Sequence, residues 1–68
     1  MDLRNHIGDI LEIIYLDASN SMSQRKIRII KQNASLVIAY CYTRKQIRTF
    51  YIENILGWKR VKKARVAS

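Results

Sequence analysis

Residues 36–52, "LVIAYCYTRKQIRTFYI", contain two apolar runs separated by a short charged segment. The first run, "LVIAYCYT", is almost continuously apolar, which predicts a central strand that is buried on both faces. The second run, "IRTFYI", alternates in polarity and predicts another strand, with Arg48 and Phe50 on one face. The segment "RKQ" between them predicts a turn. The stretch as a whole therefore predicts a β-hairpin at the centre of the fold.

Strand patterns continue on both sides of this hairpin. The segments "DILEIIYLDA" and "MSQRKIRIIKQ" before it predict two strands, and the second alternates apolar Ile27 and Ile29 with charged Lys26 and Arg28. After it, "LGWKRVKKARV" predicts a short fifth strand, while "MDLRNHIGDI" at the start predicts a helical turn capped by Asp2 and ended by Gly8. Short turns between strands are typical of an antiparallel meander, and a small barrel would remove its open edges. We therefore expect a mainly β protein, a five-stranded antiparallel barrel with an N-terminal helical turn.

The charge of the 68-residue chain is strongly polarised. It carries 13 Lys and Arg against 5 Asp and Glu, a net charge of +8. Residues 1–17 hold four acids and one cation, a net of −3, while residues 18–68 hold twelve cations and one acid, a net of +11. A basic segment of this kind indicates a polyanionic partner, most often nucleic acid. The alternative is that the excess cations only keep the protein soluble.

Composition argues against several other classes of protein. The single Cys41 rules out an intramolecular disulfide and favours the cytoplasm. No apolar run approaches the roughly 20 residues that a membrane span needs, and the polar N-terminus does not resemble a secretory signal. One histidine, His6, and a cysteine in an apolar strand do not indicate a nucleophilic enzyme. We expect no catalytic residues, no metal and no cofactor, because neither metal-ligand spacing nor a glycine-rich phosphate loop is present.

Residues 10–56 resemble the WYL domain, a module of bacterial proteins that usually follows a helix-turn-helix in transcription regulators. The similarity is carried by a Tyr-Cys pair followed by spaced arginines, a phenylalanine and an isoleucine. In this chain the motif positions are Tyr40, Cys41, Arg44, Arg48, Phe50 and Ile55. The resemblance implies an SH3- or Sm-like β-barrel with a regulatory role. It also implies that single-stranded nucleic acid or a nucleotide-type ligand binds at the basic and aromatic positions of the motif.

The sequence departs from this family at three places. The Trp-Tyr-Leu triplet corresponds to residues 35–37, "SLV", and two cations of the family pattern are replaced by Tyr51 and Asn54. We expect no helix-turn-helix before the similar region. The expected organisation is therefore a helical turn at residues 1–9, a minimal WYL-like barrel at 10–58 and a basic tail at 59–68.

The predicted ligand site combines cations and aromatic rings. Arginine presents a planar fork of donors that matches phosphate oxygens, and an exposed aromatic ring stacks on an unpaired base. The predicted site residues are Arg44, Arg48, Lys45, Tyr42 and Tyr40, with accessory phosphate contacts from Lys59, Arg60, Lys62 and Lys63.

Other interpretations of the same residues remain open at this stage. Tyr40 and Phe50 are equally compatible with the core, and Arg48 with an ion pair to Glu53 or Glu12. Trp58 is compatible with anchoring the tail, capping the barrel or stacking on a base. A protein-interaction or homo-oligomerisation module is the alternative function, because apolar side chains on both faces of the first strand favour self-association. A membrane role is disfavoured, since the basic tail lacks the second anchoring element that stable membrane binding needs.

Overall fold

The computed structural model describes residues 3–62, with Lys62 described by its backbone alone. Five strands are joined by short turns, one of which is a single 3-10 turn, and a second 3-10 turn precedes the first strand. In chain order the elements are a 3-10 turn at Arg4–His6, β1 at Ile10–Leu16, β2 at Met22–Gln32, β3 at Leu36–Cys41, β4 at Gln46–Tyr51, a 3-10 turn at Ile52–Asn54 and β5 at Ile55–Lys62.

The five strands form one antiparallel sheet in the order β4-β3-β2-β1-β5. This confirms the prediction of a mainly β fold with five antiparallel strands. The sheet is not closed, because β4 is paired only with β3 and β5 only with β1 within the described residues. The closed barrel that was expected is therefore not confirmed, and β4 and β5 each keep one edge without strand hydrogen bonds.

The sheet coils strongly even though its two edge strands, β4 and β5, are not paired with each other. Only the three residues Ile52–Asn54 connect β4 with β5, which lie at opposite ends of the strand order. Across the interior, the rings of Tyr15 on β1 and Phe50 on β4 lie 5.0 Å apart and meet edge to face. The Tyr15 hydroxyl also accepts a hydrogen bond of 3.1 Å from the Tyr51 backbone N–H. Two strands that are not neighbours in the sheet are thus in direct contact.

The coiling gives the sheet an inner face, which is the core, and an outer face. The inner face is apolar and tightly buried, as the alternation of every strand requires. Its buried residues are Leu11, Ile13, Tyr15, Ile27, Ile29, Val37, Ala39, Cys41, Phe50 and Ile55, with Leu3 added from the N-terminus.

The prediction that β3 is buried on both faces is wrong. Val37, Ala39 and Cys41 are buried on the inner face, whereas the intervening side chains are only partly covered. The physical reason is size, because the described chain forms one sheet and supplies no second layer for the outer face.

The N-terminal 3-10 turn packs against β2. The Gly8 N–H donates to the Ile29 carbonyl at 2.7 Å, and Gly8 has a φ of 88°, which a glycine adopts without strain. Leu3 is buried, whereas Ile7, four positions later, is exposed. A 3-10 turn has three residues per turn and does not align positions four apart. Asp2, the expected cap, lies outside the described residues.

Candidate functional site

Three arginines meet at a pocket of about 350 Å³ at one end of the inner face. Residues from β1, β2, β4 and two turns form its walls. The lining residues are Tyr15, Asp17, Ala18, Arg25, Arg44, Arg48, Thr49, Phe50 and Tyr51. We call this the arginine pocket.

The register of the sheet explains why these arginines converge. Arg48 is paired with Ala39, and Arg25 with Ile13, so both project from the inner face. Arg44 lies in the turn between β3 and β4. This turn is closed by a 2.7 Å hydrogen bond from the Lys45 N–H to the Cys41 carbonyl, and Lys45 has a φ of 57°. The short turn places Arg44 beside the start of β4 and therefore near Arg48.

The pocket carries a net positive charge of +2, three arginines minus the single carboxylate of Asp17. That carboxylate is already engaged by its own loop. Its Oδ1 accepts hydrogen bonds from the Ser19 hydroxyl at 2.7 Å and from the Ser19 and Ser21 backbone N–H groups at 3.0 Å each. The Ser19 hydroxyl, followed by the Ser21 N–H, holds the pKa of Asp17 below its ordinary value of 3.8. Asp17 is therefore ionised at neutral pH and fixed in the loop.

The three arginines differ in whether their side chains have hydrogen-bond or ion-pair partners. The Arg25 Nε donates to the Ser23 hydroxyl at 3.1 Å. Within residues 3–62, the side chains of Arg44 and Arg48 have no hydrogen-bond or ion-pair partner, so the alternative pair of Arg48 with Glu53 or Glu12 does not form there. Arg48 is half-buried. Guanidinium groups that converge without a carboxylate partner favour an anion in the pocket.

The predicted tyrosines lie on the opposite face of the sheet. Tyr40 is paired with Ile47 and Arg28, and its ring lies 5.1 Å from that of Tyr42 in an edge-to-face contact. Both rings are half-buried on the outer face, whereas Phe50 belongs to the core. The structure thus brings Arg44 and Arg48 together but separates them from Tyr40 and Tyr42.

The remaining predicted cations are spread over the surface. Lys45 is exposed at the tip of its turn and does not line the arginine pocket. The Lys59 ammonium lies 3.6 Å from the Glu12 carboxylate, and Arg60 is exposed on β5. Because β5 extends to Lys62, the predicted boundary at residue 58 falls inside a strand. Lys63 lies outside the described residues.

Of the residues that line the arginine pocket, only Arg44 and Arg48 were predicted from the sequence as site residues. Arg25 is the third cation. Tyr51 is 55% exposed and is paired with Leu36 on the outer face, so it borders the pocket without sharing the face of Arg48. Arg25 has a local signal, because it alternates with Ile27 and Ile29 and must share their face. Its meeting with Arg44 and Arg48 depends on the coiling of the sheet, for which the sequence has no local signal.

A second polar cluster lies at the N-terminal turn. The His6 Nδ1 is 2.8 Å from Oδ2 of the buried Asp9, and the His6 ring meets Trp58 edge-on at 4.8 Å. Trp58 therefore covers this turn. Cys41 is fully buried. Among residues 3–62, no group of three or more His, Cys, Asp or Glu side chains is placed to hold a metal ion, and no helix is long and apolar enough to cross a membrane.

The chain matches no protein-family model, and no curated protein is significantly similar to it. The assignment of a function therefore depends on the geometry and charge of the pocket and of the outer face.

Proposed function

We propose that this protein is a small β-sheet module that binds a phosphate-bearing ligand, either single-stranded nucleic acid or a nucleotide. The observation that carries the proposal is the arginine pocket, in which Arg44 and Arg48 have no partner within residues 3–62. Guanidinium groups at one site match the oxygens of a phosphate, and the net charge of +8 attracts a polyanion.

The test is fluorescence anisotropy with labelled single-stranded DNA, single-stranded RNA and duplex. Arg44→Gln and Arg48→Gln each remove one charge from the pocket. Each is expected to weaken single-strand binding by roughly tenfold or more, because a hydrogen bond to a charged group contributes about 1.5–3 kcal/mol.

Lys31→Gln is the matched control for these variants. It also removes one charge, but Lys31 is exposed on β2 and is paired with Ile38 on the outer face. We expect it to weaken binding only slightly. Equal losses in all three variants would show that net charge alone drives binding and would contradict the pocket as the site.

The fold class and the family resemblance extend this proposal. We propose that the coiled sheet is an open form of the SH3- or Sm-like barrel that a WYL domain implies, supported by the meander order and the contact of Tyr15 with Phe50. A regulatory role in the bacterial cytoplasm rests on the resemblance alone. The test is to delete the gene and measure transcript levels. We expect the levels to change on deletion, to be restored by the wild-type gene and not to be restored by Arg48→Gln.

Homo-oligomerisation is a second candidate function, favoured by the two open edges. Strand β4 exposes Ile47 at 62%, and β5 exposes Leu56 and Val61. Unpaired strand edges with apolar neighbours are templates for another copy of the chain. Light scattering over a wide range of protein concentration tests this, and a monomer at every concentration would contradict it.

A further inference from the structure

A groove of about 300 Å³ crosses the outer face over β2, β1 and β5. It is lined by Glu12, Ile14, Gln24, Gly57, Trp58 and Lys59. None of these residues lines the arginine pocket, so the two concavities are separate. We propose that this groove binds a nucleobase that carries an exocyclic amino group. The proposal rests on the proposed function and names the part of the ligand that the outer face recognises.

Gly57 creates the groove. It is paired with Ile14 of β1, and the register shift that follows makes Leu56 an extra residue on β5. Apart from Gly57 and its two chain neighbours, no residue has a heavy atom within 4 Å of the position that a Cβ on Gly57 would occupy. Glycine weakens a strand interior because it packs no side chain and raises the entropy of the unfolded chain. A strand glycine above open space is therefore well suited to the close approach of another group.

The chemistry of the groove suits a flat ring with apolar faces and polar edges. Its floor is Ile14, whose side chain is 36% exposed. Gln24 is the cross-strand neighbour of Ile14, so its side-chain amide lies next to this floor. The amide can both donate and accept hydrogen bonds. On another side the Glu12 carboxylate and the Lys59 ammonium form an ion pair of 3.6 Å. An apolar floor is thus bordered by a donor, an acceptor and a charge of each sign.

These borders discriminate among possible ligands. A phosphate gains no net attraction here because the Glu12 carboxylate offsets the charge of the Lys59 ammonium, and an aliphatic side chain would bury the Gln24 amide without a partner. A base with an amino group satisfies both side chains, since glutamine pairs with adenine N6 and N7 and glutamate accepts from cytosine N4. Uracil has no amino group, and its single N3–H donor is flanked by two carbonyl oxygens that the Glu12 carboxylate repels. We therefore expect adenine and cytosine to bind more tightly than uracil.

The surroundings of the groove are those of a strand-binding surface. Gln24, Lys26 and Arg28 are alternate residues of β2 and share the outer face. Lys26 is paired with Glu12, and Arg28 with Tyr40. Cations therefore lie between the groove and the Tyr40–Tyr42 ring pair, where they are placed to contact the phosphates that flank a bound base.

The test uses nucleosides, which carry no phosphate, in an NMR titration of the full ¹⁵N-labelled chain. Adenosine and cytidine are expected to shift the amide resonances of Ile14, Gln24 and Gly57, with uridine producing shifts at roughly tenfold higher concentration. Gly57→Val is expected to abolish these shifts because its side chain fills the groove. The variant is expected to fold, since the space is open, Gly57 is not left-handed, and valine favours strands.

The controls separate this proposal from the proposed function. Arg44→Gln is expected to keep the nucleoside response and to lose the shifts that inorganic phosphate produces at Arg44 and Arg48, whereas Gly57→Val does the reverse. Absence of nucleoside shifts, or equal shifts in Gly57→Val, would overturn the base site while leaving the arginine pocket standing. Shifts at Ile14 and Gly57 that depend on protein concentration alone would also overturn it, because they would assign the groove to a second copy of the chain.

Discussion

At the scale of single residues, Arg48 separates the effect of charge from the effect of geometry. Lysine keeps the positive charge but replaces the planar fork of five donors with one ammonium group. Since the arginine pocket also contains Arg25 and Arg44, we expect Arg48→Lys to bind a single strand more weakly than wild type and more tightly than Arg48→Gln. Anisotropy titrations of the three proteins measure this order. Binding by Arg48→Lys at the wild-type level would show that the fork is not used.

The ionisation of Asp17 makes the free energy of unfolding depend on pH. Its pKa is lowered in the folded chain by hydrogen bonds from Ser19 and Ser21, so its ionised form is stabilised by folding. This contribution is fully present above the ordinary pKa of 3.8 and disappears as the pH falls through the lower folded value. Asp17→Asn cannot titrate. We expect wild type to be the more stable protein at neutral pH and the difference to shrink at strongly acidic pH.

Urea unfolding followed by circular dichroism, at a series of pH values, measures this difference. Glu53→Gln is a suitable control, because Glu53 is exposed in the turn after β4 and makes no ion pair within residues 3–62. A constant difference between wild type and Asp17→Asn at all pH values would contradict the assigned role of the Asp17 carboxylate.

At the scale of elements, the contact between β1 and β4 holds the coil of the sheet. Tyr15→Phe removes the hydroxyl that accepts from the Tyr51 N–H but keeps the ring against Phe50. We expect a loss of about 0.5–1.5 kcal/mol in the free energy of unfolding, the usual net worth of one hydrogen bond. Tyr42→Phe is the matched control, since within residues 3–62 its hydroxyl has no hydrogen-bond partner. Equal stability of the two variants in urea would show that the hydroxyl is not used.

Strand positions were predictable because alternation is a local property. The pattern of β2 and the turn segments on either side of the hairpin placed all five strands in order. Burial was less predictable. A continuous apolar run such as residues 36–41 fits a strand covered on both faces, but the covering layer must come from elsewhere in the chain. In a chain that forms a single sheet, Leu36, Ile38 and Tyr40 remain partly exposed.

The site was only half predictable for a related reason. Arg44 and Arg48 are close in sequence, so a hairpin brings them together. Whether Tyr40 joins them depends on register, because a shift of one residue moves a side chain to the other face. The observed pairing of Tyr40 with Ile47, and of Ala39 with Arg48, sends the ring and the guanidinium to opposite faces.

At the scale of the whole molecule, three of the four acidic groups in residues 3–62 are engaged by other residues of the chain. Asp9 contacts His6, Asp17 is held by its loop, and Glu12 pairs with Lys59. These three carboxylates belong to the acidic first segment of the sequence. The charge asymmetry along the sequence therefore appears on the folded protein as well. Cations outnumber carboxylates both in the arginine pocket and on the outer face.

This distribution predicts how binding responds to salt. Affinity for a single strand falls with salt with a logarithmic slope of about −0.7 for each phosphate contacted. If the arginine pocket holds one phosphate, Arg48→Gln should make the slope shallower by about 0.7, in addition to weakening binding at every salt concentration. Lys31→Gln should leave the slope close to that of wild type, because Lys31 lines neither the arginine pocket nor the groove of the outer face. Anisotropy titrations at several salt concentrations give the slopes. A slope unchanged by Arg48→Gln would mean that no phosphate occupies the pocket, and the outer face would then be the principal binding surface.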